Sequence, residues 1–195
     1  MDENQKIAIA ALPTLVVVMV PAYLALGRLL GPGWGWYTGF LFYWPICCIL
    51  LPHKLIGWSG LRRLFRSCAM TPLRWTLIAS PPVVAFAGRF VAHRPADQPL
   101  LWIAVAVING TLEEVLWRGV YASLFPHSRL WGLVWQAVWF ALWHAGPGLL
   151  SMGSQARILV AGAAFLGLAL GWVSWSSGTI RWTVASHVLA GLLQA

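Results

Sequence analysis

The sequence predicts an all-α protein, a polytopic transmembrane helical bundle of about seven spans. Of its 195 residues, 59% are hydrophobic and only 9% are charged, whereas a soluble domain has roughly 25% charged residues. Apolar runs long enough to cross a bilayer recur along the whole chain. These runs form long helical blocks and lack the alternation of a transmembrane barrel.

The predicted spans follow one another with short connections. They cover about residues 7–30, 34–56, 75–92, 99–124, 129–145, 156–174 and 179–195. A basic segment from Lys54 to Arg74 separates the second span from the third, and a loop is predicted at 93–99. We expect residues 1–98 to supply about three generic membrane helices and residues 99–195 to form a second helical domain of about four spans. The small size, without loop insertions, is typical of a multi-pass protein of a prokaryotic cell membrane.

The net charge of +8 does not indicate nucleic-acid binding in such a chain. Excess Lys and Arg in a membrane protein marks cytoplasmic loops and contact with anionic lipid head groups. The predicted orientation therefore has the N-terminus in the cytoplasm, and the predicted partner is the lipid bilayer. This orientation collects eight cations at the cytoplasmic side: Lys6, Lys54, Arg62, Arg63, Arg66, Arg74, Arg129 and Arg181.

The stretch Asn109–Gly119 carries the strongest functional signal. The chain has five Asp and Glu residues, and Glu113 and Glu114 are the only ones predicted at membrane depth. A charged side chain there costs at least ~2.5–3.5 kcal/mol, so an intramembrane carboxylate is a functional hypothesis by default. Two adjacent carboxylates require partners elsewhere in the chain.

Helical spacing separates the roles of the two glutamates. Glu114 and Arg118 are four residues apart and can form an ion pair on one helix face. Glu113 is rotated by about 100° from Glu114 and shares its face with Asn109 and Trp117. Glu113 has no charge partner within the helix. Its carboxylate is therefore available to accept a proton, which suits the role of a general base.

Two histidines in later spans complete the candidate site. His144 ends the fifth span after Phe140, and His187 lies in the seventh span. At about 1.5 Å per helical residue, the predicted depths of Glu113, His144 and His187 overlap. These three side chains can therefore surround one buried water. The neighbouring stripe of tryptophans is interpreted as a lipid or helix contact face: Trp131, Trp135, Trp139 and Trp143.

The motifs resemble those of a known family, the CaaX-protease and bacteriocin-processing (CPBP, or Abi) membrane proteins. The resemblance rests on Glu113-Glu114-x-x-x-Arg118, then Phe140-x-x-x-His144, then His187. Residues 165–172 and 177–180 precede the last histidine with family-like spacing. The resemblance covers about residues 99–195 and implies an intramembrane endopeptidase that uses a glutamate-activated water without an obligatory metal.

The resemblance also implies roles for single residues. Glu113 would activate water, and His144 would position that water or stabilise the developing oxyanion. Glu114 and Arg118 would hold the motif, and His187 would complete the site. Phe140 would have an auxiliary packing role. The family includes enzymes that remove a C-terminal tripeptide from prenylated proteins, so a membrane-associated protein or peptide is the expected substrate.

One position departs from the family pattern. The third motif usually reads His-x-x-x-Asn, but Gly191 stands where the asparagine is expected. That amide is expected to donate to the oxyanion, and losing one such donor can lower the rate by ~10²–10³. Asn109, one helical turn before Glu113, is the alternative amide. Without it, the protein would be slow or would have lost proteolysis.

Three other functions remain open at this point. Glu113, His144 and His187 could bind zinc, since two histidines and a carboxylate with an open position form a hydrolytic zinc site. The chain could instead be a membrane scaffold, immunity or chaperone-like factor, which the glycine at position 191 favours. A proton-coupled transporter is disfavoured because a single helix carries the acids and no inverted repeat is visible. The sequence predicts no particular oligomeric state.

Overall fold

A computed structural model describes residues 1–89, 99–153 and 156–193, and all regular structure in these ranges is helical. The α-helices are α1 (Glu3–Leu30), α2 (Pro32–Tyr43), α3 (Leu51–Arg63), α4 (Pro72–Arg89), α5 (Pro99–Glu113), α6 (Tyr121–Leu124), α7 (Gln136–Trp143), α8 (Ala145–Met152), α9 (Ala156–Ser177) and α10 (Arg181–Leu192). Three π-helical segments join them: π1 (Trp44–Leu50), π2 (Glu114–Val120) and π3 (Leu130–Trp135).

The predicted all-α membrane bundle is confirmed. In the described part of the chain, 4 helical stretches are long and apolar enough to cross a membrane: Glu3–Leu30, Pro32–Arg63, Leu100–Leu124 and Ala156–Ser177. The remaining predicted spans correspond to α4, to π3 with α7, and to α10. The helical segments thus follow the predicted order. The predicted loop at 93–99 lies outside the described residues, except for Pro99 at the start of α5.

The second long stretch changes direction near its end. Gly57 has φ +63° and ψ 175° and interrupts α3. Glycine adopts a positive φ without the steric penalty that a Cβ brings. Residues 58–63 therefore form a separate short turn at the end of the span, with Trp58, Arg62 and Arg63 exposed to the surroundings.

Several connections meet at one end of the bundle. The carbonyl oxygen of Leu64 accepts from the backbone N–H of Ile180 (2.8 Å) and from Thr179 Oγ1 (2.6 Å). At the same end, Asn4 donates to the carbonyl of Leu55 and Gln5 donates to that of Leu124. The start of α1, the end of α6 and the turn between α9 and α10 therefore lie together. The basic segment 54–74 lies with them.

Leu64 also packs against π2, the segment that begins at Glu114. Its side chain is buried with Val115 and Ile180. A Cβ added at Gly119 would lie 2.5 Å from Leu64 Cδ1. The absence of a side chain at Gly119 lets this loop residue contact π2 directly, next to Arg118.

Close backbone contact sets the distance between α1 and α2. A Cβ at Gly35 would lie 2.5 Å from the backbone nitrogen of Gly27 and 2.6 Å from its Cα. Nearby, the rings of Tyr23 and Phe40 meet edge to face at 5.8 Å. Small residues allow two membrane helices to approach at such short range. This approach brings the end of α2 into the centre of the bundle.

We expect Gly35→Ala to destabilise the protein by about 1–3 kcal/mol, because a methyl group there meets backbone that cannot rotate away. Gly33→Ala is the matched control, since nothing lies within 4 Å of its added Cβ. Both changes replace glycine by alanine in α2, so both bring the same gain in helix propensity. Unfolding by SDS in detergent micelles measures the difference. Equal stability of the two variants would contradict the described contact.

Candidate active site

Glu113 and Glu114 lie at the junction of α5 and π2. Both side chains are buried, with relative exposures of 1% and 0%. The whole of π2 is buried as well. A π-helical turn inserted into an α-helix is frequent at functional sites. In the described part of the chain, this junction therefore places two carboxylates at the centre of the bundle.

Glu114 has a charged and a polar partner. Its Oε1 lies 3.3 Å from Arg118 Nη1 and 3.0 Å from His187 Nδ1. The predicted intrahelical ion pair is present. Because a carboxylate oxygen only accepts, His187 donates its Nδ1–H to Glu114. The same contact fixes the orientation of the His187 ring.

Arg118 is held by a ring as well as by a charge. Its guanidinium carbon lies 3.8 Å from the centre of the Phe140 ring. Both side chains are 1% exposed, and a cation over an aromatic face is stabilised most when it is desolvated. Phe140 also meets the rings of His144 and His187 edge to face, at centroid distances of 4.5 and 6.1 Å. Phe140 thus joins Arg118 to both histidines.

The two oxygens of Glu113 have different surroundings. Oε1 accepts from the Tyr43 hydroxyl at 3.3 Å and from Trp143 Nε1 at 3.0 Å. Oε2 has no hydrogen-bond partner within the described residues, and it lies 3.8 Å from His187 Nε2. One oxygen is therefore occupied, and the other faces an imidazole nitrogen.

The histidines present lone pairs when they are neutral. His144 Nδ1 lies 2.8 Å from the carbonyl oxygen of Phe140, which can only accept, so Nδ1 carries the proton. His187 Nδ1 is protonated for the same reason, opposite Glu114. In a neutral imidazole the other nitrogen then accepts a hydrogen bond. His144 also lies near enough to Glu113 for an electrostatic interaction. Both rings suit the binding of a water hydrogen.

Asn109 and Gly191 lie near the cluster, each beside a tryptophan. Asn109 Oδ1 accepts from Trp44 Nε1 at 2.9 Å, and its amide nitrogen has no acceptor within the described residues. The carbonyl of Gly191 accepts from Trp102 Nε1 at 3.0 Å. A Cβ added at Gly191 would lie 3.1 Å from Ala106 Cβ. Gly191, which stands where an asparagine was expected, therefore lies at a close contact between α10 and α5.

The predicted site residues form one cluster, which we call the acid–histidine cluster: Glu113, Glu114, Arg118, His144 and His187. The structure joins Glu113, Glu114, Arg118 and His187 by direct polar contacts, and Phe140 connects His144 to them. Among the described residues, no group of three or more His, Cys, Asp or Glu side chains is arranged to hold a metal ion.

Two contacts of Glu113 were missed from the sequence. Trp143 lies in a helix contact, one of the two interpretations of the tryptophan stripe, because it is 1% exposed and stacks on Tyr43. The sequence did not predict that its Nε1 donates to Glu113. The position of Trp143 next to His144 was the sequence signal that could have placed it in the candidate site. Tyr43 precedes Glu113 by 70 residues, and no spacing rule connects two helices that far apart in sequence.

The fold and the cluster define an integral membrane protein with buried acids and half-buried histidines at its centre. The chain matches the family model described as Type II CAAX prenyl endopeptidase Rce1-like over residues 95–193. This match covers just over half of the 195 residues, and the chain belongs to that family of CAAX-type intramembrane proteases. Comparisons with curated proteins and with solved structures gave no match. The resemblance inferred from the three motifs is therefore confirmed at the level of the family.

We expect Arg118→Met to destabilise the protein by about 3–5 kcal/mol, because Glu114 would remain buried without its cation. The double variant Glu114→Gln/Arg118→Met should recover most of this loss, since it removes both charges together. Arg62→Met, at an exposed arginine, is the control. Unfolding in detergent measures all four proteins. A double variant no more stable than Arg118→Met would contradict a direct coupling between the two side chains.

Proposed function

We propose that the protein is an intramembrane endopeptidase that hydrolyses a peptide bond with a water activated by Glu113. The observation that carries the proposal is the free, buried Oε2 of Glu113 facing His187 Nε2. A carboxylate with one oxygen free can accept a proton from water at that oxygen. Membership of a CAAX-type protease family supports hydrolysis of a peptide bond as the reaction.

The proposed reaction uses Glu113 first as a base and then as an acid. The water oxygen bonds to the substrate carbonyl carbon while one water proton moves to Oε2. The carbonyl oxygen becomes an oxyanion. When the oxyanion collapses, the carbon–nitrogen bond breaks, and the leaving amine takes the proton from Glu113. The new acid group loses its own proton to solvent, and Glu113 is again ionised.

The histidines would position the water. Because both Nδ1 atoms donate to other groups, the neutral Nε2 of His144 or His187 can accept the second water hydrogen. Stabilisation of the oxyanion by a histidine would need a second proton on that ring. Of the two roles expected for His144, the geometry therefore favours the positioning of water.

Asn109 is the proposed donor to the oxyanion. Trp44 holds its amide oxygen, so its NH₂ group is available to a substrate. Asn109 precedes Glu113 by one helical turn and lies on the same side of the helix. The substrate would be a membrane-associated protein or peptide whose scissile bond reaches this depth in the bilayer.

One alternative has specific support. Gly191 provides no side-chain amide, and this favours a scaffold or immunity protein with weak or no proteolysis. The zinc protease is the other alternative that the sequence left open, but no group of three or more His, Cys, Asp or Glu side chains among the described residues is arranged to hold a metal ion. Measurements on the purified protein separate these functions.

We expect Glu113→Gln to reduce cleavage of a membrane-peptide library by at least about 10²-fold, because the amide cannot accept the water proton. Glu3→Gln, at an exposed residue of the first helical turn, is the matched control and should cleave as the wild type does. Chelators should leave wild-type cleavage unchanged. Undiminished cleavage by a folded Glu113→Gln variant would contradict the mechanism. Loss on chelation with recovery on added zinc would establish the zinc alternative.

Replacing Gly191 tests the missing amide. Gly191→Asn alone brings its Cβ within 3.1 Å of Ala106 Cβ, so α5 and α10 must separate slightly. The double variant Ala106→Gly/Gly191→Asn removes this contact. We expect it to cleave faster than Ala106→Gly, by up to about 10²-fold, because it supplies a donor to the oxyanion. Initial rates on one substrate compare the variants. Equal rates would show that the site does not depend on an amide at position 191.

A further inference from the structure

Glu113 lies at the end of a chain of hydrogen bonds that starts at Trp117 and passes through Tyr43. Trp117 Nε1 donates to the Tyr43 hydroxyl at 2.7 Å, and this hydroxyl lies 3.3 Å from Glu113 Oε1. Trp143 Nε1 donates to the same oxygen from another helix at 3.0 Å. The three donors therefore come from α2, π2 and α7.

The direction of each proton in this chain is fixed by chemistry. An indole N–H can only donate, and an ionised carboxylate can only accept. The Tyr43 hydroxyl oxygen accepts a hydrogen bond from Trp117 Nε1, so its own O–H donates to Glu113. A hydroxyl that accepts one hydrogen bond becomes a stronger donor in the next, because the bonds polarise one another.

We propose that Tyr43, Trp117 and Trp143 form a clamp that holds Glu113 Oε1 and leaves Oε2 as the single oxygen able to take a proton from water. Tyr43 and Trp143 would be positioning residues, because they act through Glu113. The proposal rests on the proposed function for its kinetic consequences. Its geometry concerns the carboxylate itself and can be measured without substrate.

The clamp is rigid because its members are buried and stacked. Tyr43, Trp117 and Trp143 have relative exposures of 0%, 0% and 1%. The rings of Tyr43 and Trp143 stack at a centroid distance of 4.2 Å with 25° between their planes. In a close-packed interior such rings cannot turn away from their partner without moving their neighbours. The carboxylate of Glu113 is thus prevented from rotating to exchange its two oxygens.

Tyr43 belongs to the segment 1–98, whereas the family match covers residues 95–193. The N-terminal helices would therefore provide a functional contact as well as a membrane anchor.

The kinetic test compares Tyr43→Phe with Tyr121→Phe. Tyr121 is equally buried, and its hydroxyl donates to the backbone carbonyl of Ala8. Each change removes one buried tyrosine hydroxyl, but only Tyr43→Phe removes a donor to Glu113, together with the acceptor of Trp117 Nε1. We expect Tyr43→Phe to lower kcat about 10- to 100-fold with KM nearly unchanged, as for the loss of a hydrogen bond to a charged group. Tyr121→Phe should retain the wild-type kcat.

A spectroscopic test separates this proposal from the proposed function. The chain contains three glutamates, at positions 3, 113 and 114, so protein labelled with ¹³C-glutamate has three side-chain carboxylate bands in the infrared. Subtracting the Glu113→Gln spectrum identifies the band of Glu113. We expect Tyr43→Phe and Trp143→Phe each to shift this band, and Tyr121→Phe to leave it unchanged.

The two tests together give decisive outcomes. A shifted band with a reduced kcat would support both the clamp and the role of Glu113 as base. A shifted band in a protein whose cleavage does not depend on Glu113 would support the clamp and overturn the proposed function. An unshifted band in both variants would overturn the clamp, whatever the kinetics. A kcat for Tyr43→Phe equal to that of Tyr121→Phe, with Glu113→Gln inactive, would show that the clamp has no part in catalysis.

Discussion

Two neighbouring carboxylates buried inside a helical bundle impose the constraint on which the rest of this structure depends. A buried charge is tolerated only when other groups replace the water that it has lost. Glu114 receives Arg118 and His187, and Glu113 receives Tyr43 and Trp143. These partners come from four different helical segments. The solution differs between the two acids, because Glu114 is paired with a cation whereas Glu113 accepts hydrogen bonds from neutral donors.

The helix packing serves this arrangement. Gly35 lets α2 approach α1, and α2 ends at Tyr43 beside Glu113. Gly119 admits Leu64 next to the arginine that neutralises Glu114, and Gly110 lies against Val188, the neighbour of His187. The contacts at Gly35 and Gly110 bring helices that carry a partner toward the carboxylates, and the contact at Gly119 packs a loop residue beside Arg118. Small residues at helix contacts thereby fix the geometry of the polar groups.

The sequence predicted the part of the site that local spacing determines. Glu114 and Arg118 are four residues apart on one helix, so their pairing follows from helical geometry alone. His144 and His187 were identified through motifs whose order matches a known family. Tyr43 could not be predicted, because its contact with Glu113 depends on how two distant helices pack. The π-helical geometry of residues 114–120 also leaves no signal in an apolar sequence, and it buries Arg118 under Phe140.

In the proposed mechanism, Glu113 activates water and does not itself attack the substrate. A single turnover in ¹⁸O-labelled water, with enzyme in excess over peptide, follows the oxygen of that water. Mass spectrometry then locates the label in the new C-terminal carboxylate and in the protein segment that contains Glu113. Attack by an activated water places one ¹⁸O in the cleaved peptide and none in Glu113. Unlabelled product together with ¹⁸O in Glu113 would contradict this mechanism, because the glutamate oxygen would then have been transferred to the substrate.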